Sequence, residues 1–332
     1  MTAVHPAEKN HWDTQDVGST ASGGGAVETH PVRRRRRRRL TGATPKGNVW
    51  IPWLFLFPAA LIFLVFKFIP MAEGIRLSLF EVRPFLGDIF VGFKNYATIL
   101  QDEKFLTASW HTLVLAGGQT LGAMLIGFFL ALLLEGHSKS LWFVRSAVFL
   151  PVVAATAVIG EIWRLIFYPA PEGFLNDLIS WVGLGPWEYI SSPDTSLVSV
   201  MFVGIWKHAP YDMVLILAGL AGIDRQQYEA AAIDGASTPQ RIWNVTLPAL
   251  RPVITILLTL AAIRGLRVFT EVYVLTGGGP AGSTDVWMTR VYTTAFEQSE
   301  AGLASAGSVL LFLVTLILTV SVQWYRRRRE AR

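Results

Sequence analysis

Six stretches of the chain run apolar for about 20 residues each, the length a helix needs to cross a hydrocarbon core of about 30 Å. They are Ile51–Phe68, Thr112–Leu134, Arg145–Phe167, Leu197–Gly222, Val253–Leu275 and Leu303–Trp324. A segment in lipid must satisfy its own backbone hydrogen bonds, so helices are predicted. The period-2 alternation of a membrane barrel is absent. The expected fold class is an all-α membrane protein with six transmembrane helices. The first stretch begins about fifty residues in and is followed by a charged loop, not a small-residue cleavage site, so an uncleaved signal anchor is expected.

The placement of charge sets the orientation. The net charge is +5, and a basic balance invites a nucleic-acid reading. With the amino terminus inside, the cytoplasmic segments hold 19 Lys and Arg, the outer loops hold 5 and the spans hold 5. Acidic residues run the other way, 9 inside and 12 outside. The positive-inside rule therefore predicts that both termini are cytoplasmic. Residues 1–48 are rich in Gly, Ser, Thr, Pro and charge, and a disordered basic tail is expected there. Its seven arginines, Arg33–Arg39, read as a topology determinant that also holds anionic lipid headgroups. No base-reading motif accompanies them, so nucleic acid is not expected as a partner. Residues 49–325 form the predicted transmembrane domain, and 326–332 a second basic tail, with Arg326–Arg329 directly after Trp324 and Tyr325. There is no cysteine, which excludes disulfides, thiolate metal sites and cysteine nucleophiles.

One cytoplasmic segment, 223–252, is more than a connector. Asp224 is a good N-cap, with Gln227 placed as in a capping box. The run Tyr228–Ile233 has high helix propensity, and Gly235 can close the helix in the left-handed conformation. Thr238 can cap a second helix with Pro239 at its first position, and Pro248 and Pro252 are expected to stop it. Short helix, glycine hinge, short helix is the prediction. An amphipathic elbow on the membrane surface would account for that much.

The spacing says more. Glu229, Ala230, Ala231, Gly235, Val245, Leu247 and Pro248 meet the pattern E-A-A-x3-G-x9-hydrophobic-x-L-P. This resembles the EAA loop of permease subunits in binding-protein-dependent ABC importers, with Val245 where Ile is more usual. Phe149-Leu150-Pro151 leading to Trp163-Arg164 looks like the third-helix region of carbohydrate-uptake permeases. Leu275-Thr276-Gly277-Gly278-Gly279-Pro280, Ser283-Thr284 and Ala295-Phe296 are similar to an outer loop of their maltose-type and glycerol-phosphate-type first subunit. Gly92-Phe93, Asn95 and Tyr96 resemble its first outer loop. The resemblance covers roughly residues 50–325.

The resemblance implies a type I ABC importer permease fold in a bacterial inner membrane. It implies a second permease, two cytoplasmic ATPase subunits and an extracytoplasmic solute-binding protein as partners. Residues 224–236 would form the coupling helix docked on the ATPase, with Glu229, Ala230, Ala231, Asp234, Gly235, Leu247 and Pro248 as its functional residues. The sequence has no G-x-x-x-x-G-K-[ST] phosphate loop and no H-E-x-x-H, and its six histidines have no metal-ligand spacing. No cofactor is expected in this chain. ATP and magnesium belong to the partner ATPase, and the chain is expected not to be an enzyme.

Ionisable residues at membrane depth are costly and are functional candidates. Arg264, Arg267 and Glu271 fall at i, i+3 and i+7 of the fifth span, and Arg267 and Glu271 are placed to pair. An ion pair between helices and a stripe facing the substrate path are both open readings. Trp206, Lys207 and Asp212 form a second candidate patch near Pro210, and Arg164 completes the path candidates. Lys67 and Glu161 are the other intramembrane charges; Lys67 lies near a span end and can snorkel. A self-sufficient secondary transporter or channel is the alternative. It would be expected to carry internal repeats, and none is evident. A membrane-bound enzyme would want clustered carboxylates, and the outer acids are scattered.

Overall fold

The computed structural model describes residues 50–83, 85–136, 138–169 and 173–330. The tail predicted over 1–48, with Arg33–Arg39, lies outside the described residues. The chain up to Leu56 is one unit and Phe57–Arg332 a second, compact one. Of the first unit, the described residues form the opening turns of a helix.

Fifteen helices can be followed among the described residues. Helix α1 (Trp50–Phe63) runs through a single π turn into α2 (Ile69–Leu77). A two-stranded hairpin follows, β1 (Phe80–Glu81) antiparallel to β2 (Ile89–Phe90), then α3 (Lys94–Gln101). The long helix α4 (Glu103–Leu133) leads to α5 (Lys139–Val153), α6 (Thr156–Ile166) and the short α7 (Phe174–Ser180). The second long helix is α8 (Pro193–Ala221). Then come α9 (Arg225–Ile233), α10 (Thr238–Arg241), α11 (Leu247–Ala249), α12 (Arg251–Leu266) and α13 (Thr270–Leu275). Helix α14 (Trp287–Tyr292) precedes α15 (Ala301–Glu330).

Helices α4 and α8 pack along their length and form the centre of the bundle, with α12 against α4 and α5 against α8. Lipid is as apolar as leucine, so such helices associate by close packing and not by burying oil from water. Glycines make the approach possible. A Cβ at Gly127 would sit 2.8 Å from the Ala209 carbonyl oxygen and 3.0 Å from the Met213 nitrogen, both backbone atoms. A Cβ at Gly204 would run into the Gln119 side-chain amide. Around this seam lie two apolar clusters. One joins Leu115, Val200, Val203 and Val272, the other Ala131, Met213, Ile216 and Leu257. The outward faces of α1, α4 and α15 keep their Leu, Phe and Ile exposed, as lipid-facing helices do.

Four helices among the described residues are long and apolar enough to cross a membrane: Pro52–Leu77, Glu103–Leu133, Pro193–Ala221 and Ala301–Trp324. These match the first, second, fourth and sixth predicted stretches. The first runs nine residues past Phe68 and the second starts nine residues before Thr112. The other two stretches are not straight rods. The third breaks between α5 and α6, which meet at 98°, because Ala154 and Ala155 are extended. Pro151 already removes one helical N–H just upstream. The fifth breaks at 267–269 between α12 and α13, where Arg267 and Phe269 leave helical geometry. The α10–α11 segment also meets α12 at 67°. The span count reaches six where each bent pair is one span.

Candidate functional site

The two breaks converge on α8. Thr156 opens α6, Glu271 stands in the first turn of α13, and Lys207 of α8 reaches both. Its ammonium donates to the Thr156 hydroxyl and lies 3.6 Å from Glu271 Oε1. One turn on, Asp212 is 1% exposed and faces Arg264 of α12, with Nη2 3.4 Å from Oδ1. The same guanidinium donates from Nη1 to His208 Nδ1 at 3.1 Å and lies 5.2 Å from the centre of the Tyr211 ring. A guanidinium can only donate, so His208 Nδ1 is the acceptor and the imidazole is neutral in this arrangement. Thr156, Lys207, His208, Asp212, Arg264 and Glu271 wall a cavity of about 360 Å³, which Gln119, Arg267 and Phe269 also line. Buried charges persist in such surroundings only when paired and hydrogen-bonded.

The predicted path residues divide. Lys207, Asp212, Arg264, Arg267 and Glu271 all line this one cavity. The predicted Arg267–Glu271 pair does not form. Helix α12 ends at Leu266, so the i, i+4 register is broken, and Glu271 turns to Lys207 instead. The three charges of the fifth span are thus not one stripe of one helix. Arg267 is exposed and makes no ion pair or side-chain hydrogen bond among the described residues. Trp206 is outside the cavity and packs edge-on against Trp163, 5.4 Å between centres. Arg164 pairs with Glu161 at 2.9 Å, half-exposed, and borders a separate recess with Tyr168 and Tyr273. The residues that sequence reasoning missed are Gln119, Thr156, His208 and Phe269. Only the rarity of polar groups at membrane depth could have flagged the first three.

The 224–249 segment is a braced elbow. Asp224 Oδ1 accepts the Gln226 N–H at 3.0 Å and caps α9. Gly235, at φ 76°, closes it. Its N–H reaches Ala232 O at 3.1 Å, and Ala236 N–H reaches Ala231 O at 2.9 Å. Those two bonds are the Schellman pair, and they need a left-handed residue at this point. The capping box expected at Asp224–Gln227 is found instead one helix later. Ser237 is the N-cap of α10 rather than Thr238, and its N–H reaches Gln240 Oε1 at 2.7 Å. Pro248 does not stop the helix. A π turn over Ile242–Thr246 carries the backbone past it, and the bend comes at Leu250. Tyr228 and the buried Thr246 hydroxyl, 3.0 Å apart, tie α9 to the second arm. Glu229, Ala230, Asp234 and Gly235 are exposed, while Ala231, Leu247 and Pro248 are half-buried. Two large apolar side chains stand out of the elbow, Ile233 at 87% and Trp243 at 73% exposure.

The remaining motifs are structural. Asn95 donates to Ser78 O at 2.9 Å and Phe80 O at 3.0 Å, and Tyr96 meets the Ser78 hydroxyl, which locks the hairpin to α2. In the glycine-rich loop, Thr284 is fully buried, meets the Thr276 hydroxyl and donates to Gly279 O, while Ser283 bonds Ser196 of α8.

Residues 43–331 match the family described as binding-protein-dependent transport system inner membrane component. The chain is 34% identical over 289 residues to the probable ABC transporter permease protein YurN of Bacillus subtilis, covering 85% of this chain and 98% of that one. It is 32% identical over 285 residues to the trehalose/maltose transport system permease protein MalF of Thermococcus litoralis, covering 85% and 95%. A solved bacterial ABC transporter that imports the acidic polysaccharide alginate matches with a TM-score of 0.74 at 27% identity, over 84% of this chain and 96% of that one. The same importer bound to an alginate pentasaccharide-loaded periplasmic protein gives 0.73.

Proposed function

Because the chain belongs to the family of inner membrane components of binding-protein-dependent transport systems, and so is the permease subunit of an ABC importer, we propose that it forms half of the translocation path for a sugar or related polyol. The relatives named for trehalose, maltose and alginate support that substrate class. The path runs past the cavity between α8, α12 and α13, where hydroxyl-bearing substrates would meet the side chains of Lys207, Asp212, Arg264, Arg267 and Glu271. A second permease supplies the other half. A solute-binding protein delivers substrate, as the loaded periplasmic protein on the alginate importer suggests. Six spans, the third and the fifth of them bent, place both termini in the cytoplasm. The charge asymmetry of the loops supports that orientation.

The observation that carries the mechanism is the elbow. A capped, closed and cross-braced helix pair is rigid, and it presents Ile233 and Trp243 as apolar studs. Two ATPase subunits bind ATP and magnesium below, and this elbow sits in a groove of one of them. Glu229, Ala230, Ala231, Asp234 and Gly235 form the docked surface, and Leu247 and Pro248 hold the second arm. ATP-driven closure of the ATPases moves the elbow, and the bundle exchanges between two packed states. ATP hydrolysis belongs to the partner, and this chain transmits it.

The test is ATP-dependent uptake by the complex reconstituted in proteoliposomes. Gly235→Asp places a side chain at a positive φ and a charge at the docked surface. It is expected to abolish uptake while the permease pair still assembles. Normal uptake in that variant would remove the coupling assignment. Uptake without any ATPase subunit would favour the secondary-transporter alternative.

A further inference from the structure

Resting on the permease reading above, we propose that the cavity at the α12–α13 break selects an anionic sugar, one that bears a carboxylate or a phosphate, and that Arg267 is the cation that holds it. The charges on the wall do not balance. Lys207, Arg264 and Arg267 face Asp212 and Glu271. Both carboxylates are already taken, Glu271 by Lys207 and Asp212 by Arg264, and His208 accepts from Arg264 as a neutral ring. Of the cations on this wall, one is left without an acidic partner among the described residues, and it is the exposed one. A guanidinium offers a planar fork of N–H donors that fits a carboxylate or phosphate through two parallel bonds.

A second feature points the same way. Helix α6 opens on this wall at Thr156, and its N-cap, Ala155, has no side chain to cap the first turn. The free N–H groups and the dipole put partial positive charge at that end. The group stationed there is Lys207, a cation, which is the wrong sign for a helix N-terminus. Glu271 offsets only part of that excess. An anionic ligand would complete it in surroundings where an uncompensated charge is costly. Phe269, two residues past Arg267, lines the same cavity and gives a sugar ring an apolar face to lie on.

The test uses the assembled complex of both permeases and both ATPases in nanodiscs, without binding protein, so that only the cavity selects. Glucose, glucuronate and glucose 6-phosphate are matched probes, followed by saturation-transfer NMR. One or both acids are expected to bind at least about tenfold more tightly than glucose, the yield of a charge-assisted contact. Which acid wins tells carboxylate from phosphate. Arg267→Gln should remove the preference and Arg267→Lys should keep part of it, with assembly checked by co-purification. Equal binding of all three probes, binding of none, or a preference that survives Arg267→Gln would overturn the proposal. ATP-driven uptake in proteoliposomes scores the permease reading separately, because a cavity indifferent to charge leaves it intact.

Discussion

Asp285 lies between α13 and α14, where burial pushes its carboxyl above the usual carboxylate range. The Thr289 hydroxyl and the nearby Arg290 pull the other way without cancelling it. A carboxyl whose folded value is raised favours the folded state while it is protonated. That contribution is full below the ordinary carboxylate value and is lost as pH rises through the folded one. The complex should therefore gain thermal stability as pH falls into that window. Asp285→Asn should flatten the dependence and raise the melting temperature at neutral pH, as read by thermal shift of the purified complex. The residue scale also shows where sequence reading stops. Intramembrane charge picked out Lys207, Asp212, Arg264, Arg267 and Glu271, since each is expensive in lipid wherever it points. Their pairing was illegible. It depends on α12 ending at Leu266, and one lost turn moves Glu271 from Arg267 to Lys207.

At the scale of elements, Lys207 holds the first turns of two half-helices that themselves pack together, α6 and α13. Lys207→Met leaves Glu271 without its cation, and losing one partner of a buried pair costs about 3–5 kcal/mol. Adding Glu271→Gln should recover most of that loss, and a double-mutant cycle on unfolding of the complex measures the coupling. Additive losses would show that the two side chains do not act together. The α4–α8 seam makes a separate prediction. Gly127→Val forces a branched side chain into backbone atoms, an overpacking penalty of about 1–3 kcal/mol or more. The expected outcome is poor assembly with the partner permease, measured by co-purification. Hydropathy located the helices because spanning lengths are set by the bilayer. It could not locate the breaks, since Ala154–Ala155 and Arg267–Phe269 are as acceptable in a helix as out of one. Turn chemistry read better where special backbone was needed, as at Gly235, and slipped by one residue where Ser237 and Thr238 compete for one cap.

For the whole molecule, motif spacing carried more than periodicity did. The E-A-A to L-P pattern identified a family that the comparison then confirmed. It did so because a capped and braced elbow constrains many positions at once, whereas a lipid-facing helix constrains only polarity. Ile233 and Trp243 were not singled out for the same reason: large apolar residues beside a membrane are unremarked until the fold exposes them. Replacing Ile233 with Asp should release the ATPase from the complex while leaving the permease pair intact, as size-exclusion chromatography would report. An unchanged elution profile would assign the docking to other residues.

The route from the elbow to the cavity is short and helical. The second arm passes through Leu250 into α12, whose 16 residues end two positions after Arg264 enters the wall. At about 1.5 Å per residue this helix is about 24 Å long. Pivoted at its Leu250 end, a tilt of about 10° displaces the far end by about 4 Å. That stroke exceeds the 3.4 Å that separates Arg264 of this helix from Asp212 of α8. A modest swing of this one lever is thus enough to unfasten the Arg264 latch of the cavity.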